Sequence, residues 1–149
     1  MAFQWSEQQL KAIHTTGYPV LVSAPAGAGK TTVLVARLMK RMLEDQISVD
    51  RIAAMTFTEA AASEMKKRLL QSLNDKLRED LSESQRQFCR QQLLLLPSAH
   101  ISTIHSFCLS IIQADYALIG LNPARLNTIF DDAALSAMKE EAFDAALTQ

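Results

Sequence analysis

The chain has 149 residues, 48% hydrophobic and 21% charged, which is one domain's length with enough apolar material for a core and excludes a globally disordered polymer. With 15 basic residues against 16 acidic and a formal net charge of -1, a whole-domain basic footprint for nucleic acid is excluded, and such a partner would need a local patch or backbone amides. Two cysteines, Cys89 and Cys108, without metal-like spacing argue for a reduced, cytoplasmic chain rather than a disulfide framework; no apolar run approaches the roughly 20 residues of a membrane span, and the first residues lack signal-peptide character.

Ser6, with Gln9 three residues later, predicts a capping box and a short helix to about His14. Gly17 breaks the chain. Residues 19–23 are nearly all apolar and are expected to form a buried strand in a parallel sheet. The most informative stretch follows: Ala24-Pro25-Ala26-Gly27-Ala28-Gly29-Lys30-Thr31. At a strand-to-helix turn, the N–H groups of such a loop converge on a polyphosphate, and the helix N-terminus adds its positive dipole end. Gly27 and Gly29 permit the tight curl. Lys30 would reach the β- and γ-phosphates, and the Thr31 hydroxyl would ligate Mg²⁺. The usual pattern opens with Gly where this chain has Ala24. Ala24, Pro25, Ala26, Gly27, Ala28, Gly29, Lys30, Thr31 and Thr32 are therefore the candidate nucleotide contacts, with Lys30 and Thr31 nearest the chemistry.

The following helix would bury Val35, Leu38, Met39 and Met42, and would carry Arg37, Lys40 and Arg41 on its other face. Residues 52–56 are a second strand. A helix over residues 59–77 places Met65, Leu69, Leu73 and Leu77 in a stripe, with Lys66, Lys67 and Arg68 opposite as a solvated face. Ser82 with Gln85 marks another capping box, and Pro97 ends that helix. Residues 100–104 are a third strand, and a helix runs from Ser106 to about Leu118 with Gly120 as its stop. An extended piece follows Asn122-Pro123, and Asp131 caps an Ala-rich helix running to the last residue. This order implies an α/β fold with a parallel sheet and right-handed crossovers. Thr56, Phe57 and Thr58 fall at the end of a strand, where open α/β sheets bind ligands, and Thr103, His105 and Ser106 repeat the placement. Phe57 is either a base-stacking side chain or a core aromatic, and His105 either a contact or a satisfied buried histidine.

Four stretches together resemble one family. Ser6-Glu7-Gln8-Gln9-Leu10-Lys11-Ala12-Ile13 resembles the glutamine motif preceding the phosphate loop in superfamily I DNA helicases. Thr56-Phe57-Thr58-Glu59-Ala60-Ala61-Ala62-Ser63-Glu64-Met65 resembles their motif Ia, and Ser102-Thr103-Ile104-His105-Ser106-Phe107-Cys108 their motif Ib. The wording is most similar to the UvrD/RecB-like group and, within it, to the AddA subunits of bacterial AddAB helicase–nucleases. The resemblance implies a P-loop NTPase (RecA-like) sheet, with residues 1–117 a partial ATP-binding motor domain and residues 118–149 the beginning of a helical inserted subdomain. It implies ATP and Mg²⁺ as cofactors, with the Gln9 amide on the N6 and N7 edge of adenine; a capping role for Gln9 is the alternative. Arg37 is either a base contact or part of a solvated basic face. Single- or double-stranded DNA would be held by Thr56, Phe57, Thr58, Thr103, His105 and Ser106. The further partner implied is an AddB-like nuclease subunit, in a heterodimer. The activity implied is ATP-driven translocation on single-stranded DNA in double-strand-break repair and recombination. ATP hydrolysis needs a carboxylate pair after a buried strand. Asp131-Asp132 is the candidate and reads better as a helix cap, so the pair is expected beyond Gln149 and the chain as the first half of a first motor domain. A nucleotide- or DNA-binding piece without turnover, or another P-loop ATPase, is the alternative.

Overall fold

A computed structural model of the chain describes residues 4–25, 27–122 and 132–147. Ala26 of the loop, the extended piece expected after Pro123 and the Asp131 cap lie outside the described residues. The chain divides into two compact units, Met1–Phe107 and Cys108–Gln149.

In the first unit, β1 (Ala53–Thr56) and β2 (His100–Thr103) pair in parallel, from Ala53 opposite His100 to Thr56 opposite Thr103. Parallel strands need a long crossover, and α3 (Glu59–Leu77) and α4 (Glu83–Leu95) supply it. A 3₁₀ turn at Leu96–Ser98, containing Pro97, ends the crossover. The chain also forms α1 (Glu7–His14), α2 (Lys30–Leu43) and a 3₁₀ turn at Val49–Arg51. Both capping boxes form: Ser6 with Gln9 opens α1, and Ser82 with Gln85 opens α4.

The core follows the helical stripes. Val35, Leu38 and Met42 of α2 meet Met65, Leu69 and Leu73 of α3, with Ala54 and Ile101 from the strands beneath them. Met42, Leu69 and Leu73 are fully buried. Met39 and Leu77 are only partly buried, and Val33 is buried instead. The Cys89 thiol is buried, and burial pushes its pKa up.

Three expectations need correction. Residues 19–23 form no strand: among the described residues the sheet contains β1 and β2 alone, and Leu21 is 95% exposed. An apolar segment becomes a strand only when a neighbouring strand takes up its amides and carbonyls, and these two strands pair with each other. The described sheet is thus two-stranded, a small parallel sheet flanked by helices. The second correction is the last helix of the sheet region, α5, which spans Ile104–Ala114 rather than residues 106–118. Thr103 Oγ1 accepts the Ser106 amide at 3.2 Å, so the cap sits two residues earlier than expected. Gly120, at φ +70°, lies in the turns beyond the helix. Third, β2 stops at Thr103 and β1 starts at Ala53, one residue inside each expected bound.

The second unit holds the later part of α5, those turns and α6 (Asp132–Leu147). Among its described residues none is fully buried, and Leu118, Phe143 and Leu147 are exposed. Among all described residues, no helix is long and apolar enough to cross a membrane.

One buried polar group carries a test. Gln92 is fully buried; its Oε1 accepts the Val49 amide at 2.7 Å and the Ser48 hydroxyl at 3.3 Å, while its Nε2 has no partner among the described residues. Gln92→Met keeps the volume but strands the Val49 N–H. The expected loss is about 1 kcal/mol in urea unfolding, the Val49 penalty less the relief at Nε2. An unchanged midpoint would contradict this role.

Candidate phosphate-binding site and strand-end interface

The loop before α2 has the backbone that its glycines allow. Gly27 and Gly29 stand at φ +79° and +82°, in the left-handed region that side chains resist. Gly29 is the N-cap of α2 and offers no side-chain bond, whereas Ser6, Thr58 and Ser82 each close their helix with a hydroxyl. The first bond into α2 is from the Val33 amide to the Gly29 carbonyl, 2.9 Å. Among the described residues, the amides of Lys30, Thr31 and Thr32 meet no backbone acceptor. The start of α2 therefore presents donors with no backbone acceptor among the described residues, and the positive end of a 14-residue helix.

Lys30 brings a full charge to the same place. Its Nζ donates to the Ala24 carbonyl at 2.7 Å and the Pro25 carbonyl at 2.9 Å. An ammonium has three donors, so one remains. Within the loop, the Ala28 amide donates to the Pro25 carbonyl at 3.3 Å. The Thr31 side chain is exposed, and the Thr32 hydroxyl accepts from Arg68 of α3 at 3.4 Å. Among the described residues, no group of three His, Cys, Asp or Glu side chains could hold a metal ion.

Helix α1 lies against this loop. Gln9 accepts the Ser6 amide at 2.9 Å through Oε1 and donates from Nε2 to the Ala28 carbonyl at 3.4 Å. The amide is thus a cap and a tie to the loop, with one lone pair and one N–H still unspent. Between α1 and the loop is a cleft of about 290 Å³ lined by Gln9, Ala12, Ala24, Pro25, Lys30 and Val33, among others. Arg37 points its guanidinium at the end of α1, where Nη1 donates to the Ala12 and Ile13 carbonyls. It fastens α1 to α2 and satisfies carbonyls that a helix end leaves unpaired.

The other candidate residues gather at one sheet edge. Thr56 and Thr103 are register partners at the ends of β1 and β2. The Thr56 hydroxyl donates to the Thr58 carbonyl at 3.0 Å, and Thr58 caps α3 by accepting the Ala61 amide at 3.1 Å. Phe57 is 98% exposed between them, outside the core, and His105 is exposed at the start of α5. The nearby cations are partly engaged: Lys66 donates to the Pro97 carbonyl, and Arg68 pairs with Glu64.

Sequence reasoning missed the residue that joins the two strand ends. Glu59, the first residue of α3, accepts the Thr103 hydroxyl at 2.8 Å and the Ser106 hydroxyl at 2.6 Å. The Ser106 bond first, and then the Thr103 bond, hold its carboxyl below the usual glutamate range. The signal available was an acidic residue directly after a threonine cap, which is common in first helical turns and says nothing about a partner some forty residues away.

A family model for the UvrD/REP helicase N-terminal domain matches residues 5–148. The chain is 43% identical over 148 residues to an A-type ATP-dependent helicase/nuclease subunit of Anoxybacillus flavithermus, covering 98% of this chain and 12% of that relative. It is 45% identical over 129 residues to a protein of the same description in Exiguobacterium sibiricum, covering 83% and 10%. A Leuconostoc mesenteroides protein so described is 45% identical over 123 residues, again covering 83% and 10%. The chain therefore spans only about a tenth of the length of these curated relatives.

Gly29 tests the loop's backbone. A Cβ there would lie 3.5 Å from Gln9 Nε2, an ordinary contact, so the cost of Gly29→Ala is the left-handed φ itself. The expected loss is about 1 kcal/mol in urea unfolding. A neutral or stabilising result would mean that the loop does not require this conformation.

Proposed function

The chain belongs to the UvrD/REP helicase N-terminal domain family, and on that premise we propose that it is the ATP-binding opening part of an ATP-dependent DNA helicase, in an AddA-like helicase–nuclease. The observation that carries this reading is the start of α2. An uncapped helix end on a left-handed glycine, with a lysine ammonium tied to the loop carbonyls, is a fixed anion receptor.

In this reading the amides of Gly27, Gly29, Lys30, Thr31 and Thr32 and the Lys30 ammonium hold the triphosphate of ATP. Thr31 supplies one oxygen to Mg²⁺. The spare donor and acceptor of Gln9 read the adenine edge, and Arg37 acts by holding α1, which bears Gln9, against α2. The bound nucleotide supplies the free energy for translocation; this chain's own residues bind and orient it. A single DNA strand would cross the ends of β1 and β2, with Phe57 stacking on a base and helix-end amides and the hydroxyls of Thr56, Thr58, Thr103 and Ser106 near phosphates. His105 stands exposed beside them.

We read residues 1–117 as part of a RecA-like motor domain and residues 118–149 as the start of a helical insertion. The exposed Val20, Leu21 and Val22 would pair within a larger sheet in the whole protein. That protein would act in the cytoplasm on DNA ends, in double-strand-break repair and recombination. Its partner would be an AddB-like nuclease subunit.

Lys30→Ala is the direct test. Loss of a charge-assisted contact is expected to weaken binding of ATP with Mg²⁺ by about tenfold or more in calorimetry, with circular dichroism unchanged. Undiminished affinity in a folded variant would refute the assignment.

A further inference from the structure

Glu59 puts a carboxylate where the proposed function needs hydroxyl donors. Thr103 Oγ1 and Ser106 Oγ each carry one proton, and both lie within hydrogen-bond distance of the same Glu59 oxygen, at 2.8 and 2.6 Å. Thr103 Oγ1 also accepts the Ser106 amide, at 3.2 Å. Thr103 Oγ1 also lies 3.0 Å from Ser106 Oγ and can donate there instead. With the Thr103 proton on Glu59 or on Ser106, and the Ser106 proton on Glu59, neither hydroxyl has one left for another acceptor. A phosphodiester oxygen is such an acceptor, and it is negative. To take either proton it must displace the carboxylate or sit beside it as a like charge. Glu59 is exposed, so displacement needs only a side-chain rotation.

The local fields make the contest real. The two hydroxyl bonds favour the ionised carboxyl, with Lys66 adding a smaller favourable charge. The start of α3 does the same through its dipole. The carboxylate is therefore a standing anion at the edge shared by β1 and β2, held by bonds of the strong, charge-assisted kind.

We propose that Glu59 is a built-in competitor for the nucleic-acid strand: a positioning residue that holds the Thr103 and Ser106 hydroxyls and must release them before they can grip a phosphate. It ties the Ia-like segment to the Ib-like segment in the unbound state and weakens the hold of the edge on DNA. Any movement that draws the start of α3 away from the end of β2 would free both donors together. The inference rests on the reading that this edge meets DNA.

The test is fluorescence anisotropy of a labelled single-stranded oligonucleotide with the chain, at several salt concentrations, with circular dichroism as the check on folding. Glu59→Ala is expected to bind about three- to tenfold tighter than wild type, the size of one net hydrogen bond. Glu59→Gln, which loses the charge but keeps an acceptor, is expected to fall between them and stands in if the alanine variant fails to fold. The gain is expected to vanish when Thr103→Val and Ser106→Ala accompany Glu59→Ala. A merely structural latch would give weaker binding on its removal, never a gain that depends on two hydroxyls. Salt-sensitive binding that is unchanged or weakened in folded Glu59 variants would overturn this proposal alone. A gain that survives loss of both hydroxyls would also overturn it, leaving plain charge repulsion. Failure of wild type and every variant to bind would overturn the strand-end reading and this inference with it.

Discussion

The first turn of α2 leaves its leading amides without a backbone acceptor among the described residues. A helix always exposes its leading N–H groups, and α1, α3, α4 and α5 close theirs with a hydroxyl. At α2 the cap is a glycine in a left-handed conformation, which turns the chain sharply and offers no oxygen. The residues of α2 in the main core cluster, Val35, Leu38 and Met42, lie beyond this first turn. Free donors at a helix start cost stability unless something anionic or aqueous meets them. The bonds from Lys30 to the Ala24 and Pro25 carbonyls add a positive charge at that point rather than relieving the amides.

The rest of the first unit keeps this turn in place. Gln9 reaches the loop from α1, and Arg37 of α2 holds the end of α1 in return. Arg68 of α3 reaches Thr32 on the first turn of α2. Helix α3 is therefore common to both candidate regions. Its middle packs on α2, and its first residue closes over the ends of the strands through Thr103 and Ser106. A shift of α3 along its axis would be felt at Thr32 and at Glu59 alike.

Much of this was legible in the residues. The capping boxes at Ser6 and Ser82 and the stripe Met65, Leu69, Leu73 are local patterns, and local patterns set helices. The tight curl at Gly27 and Gly29 was legible because it depends on residue types within a few positions. What escaped were facts about distant partners. Residues 19–23 have a strand's composition, but strand formation depends on a neighbour, and the described sheet gives them none. The start of α5 was misjudged because Thr103 serves both as the last residue of β2 and as a cap. Arg37 reads equally as a solvated cation or a ligand contact until α1 is placed beside it. Glu59 was invisible for the same reason: its partners are brought to it by the parallel register of β1 and β2.

On the proposed reading, the leading amides of α2 and the Lys30 ammonium together receive a nucleotide's phosphate chain. Amide-resolved NMR of the ¹⁵N-labelled chain, titrated with ATP and Mg²⁺ and separately with inorganic triphosphate, tests it most directly. Both ligands are expected to shift the amides of Gly27, Gly29, Lys30, Thr31 and Thr32 first and most, with ATP alone extending the shifts to Gln9. Saturating ATP that leaves those amides unmoved, or moves only residues elsewhere in the chain, would contradict that reading.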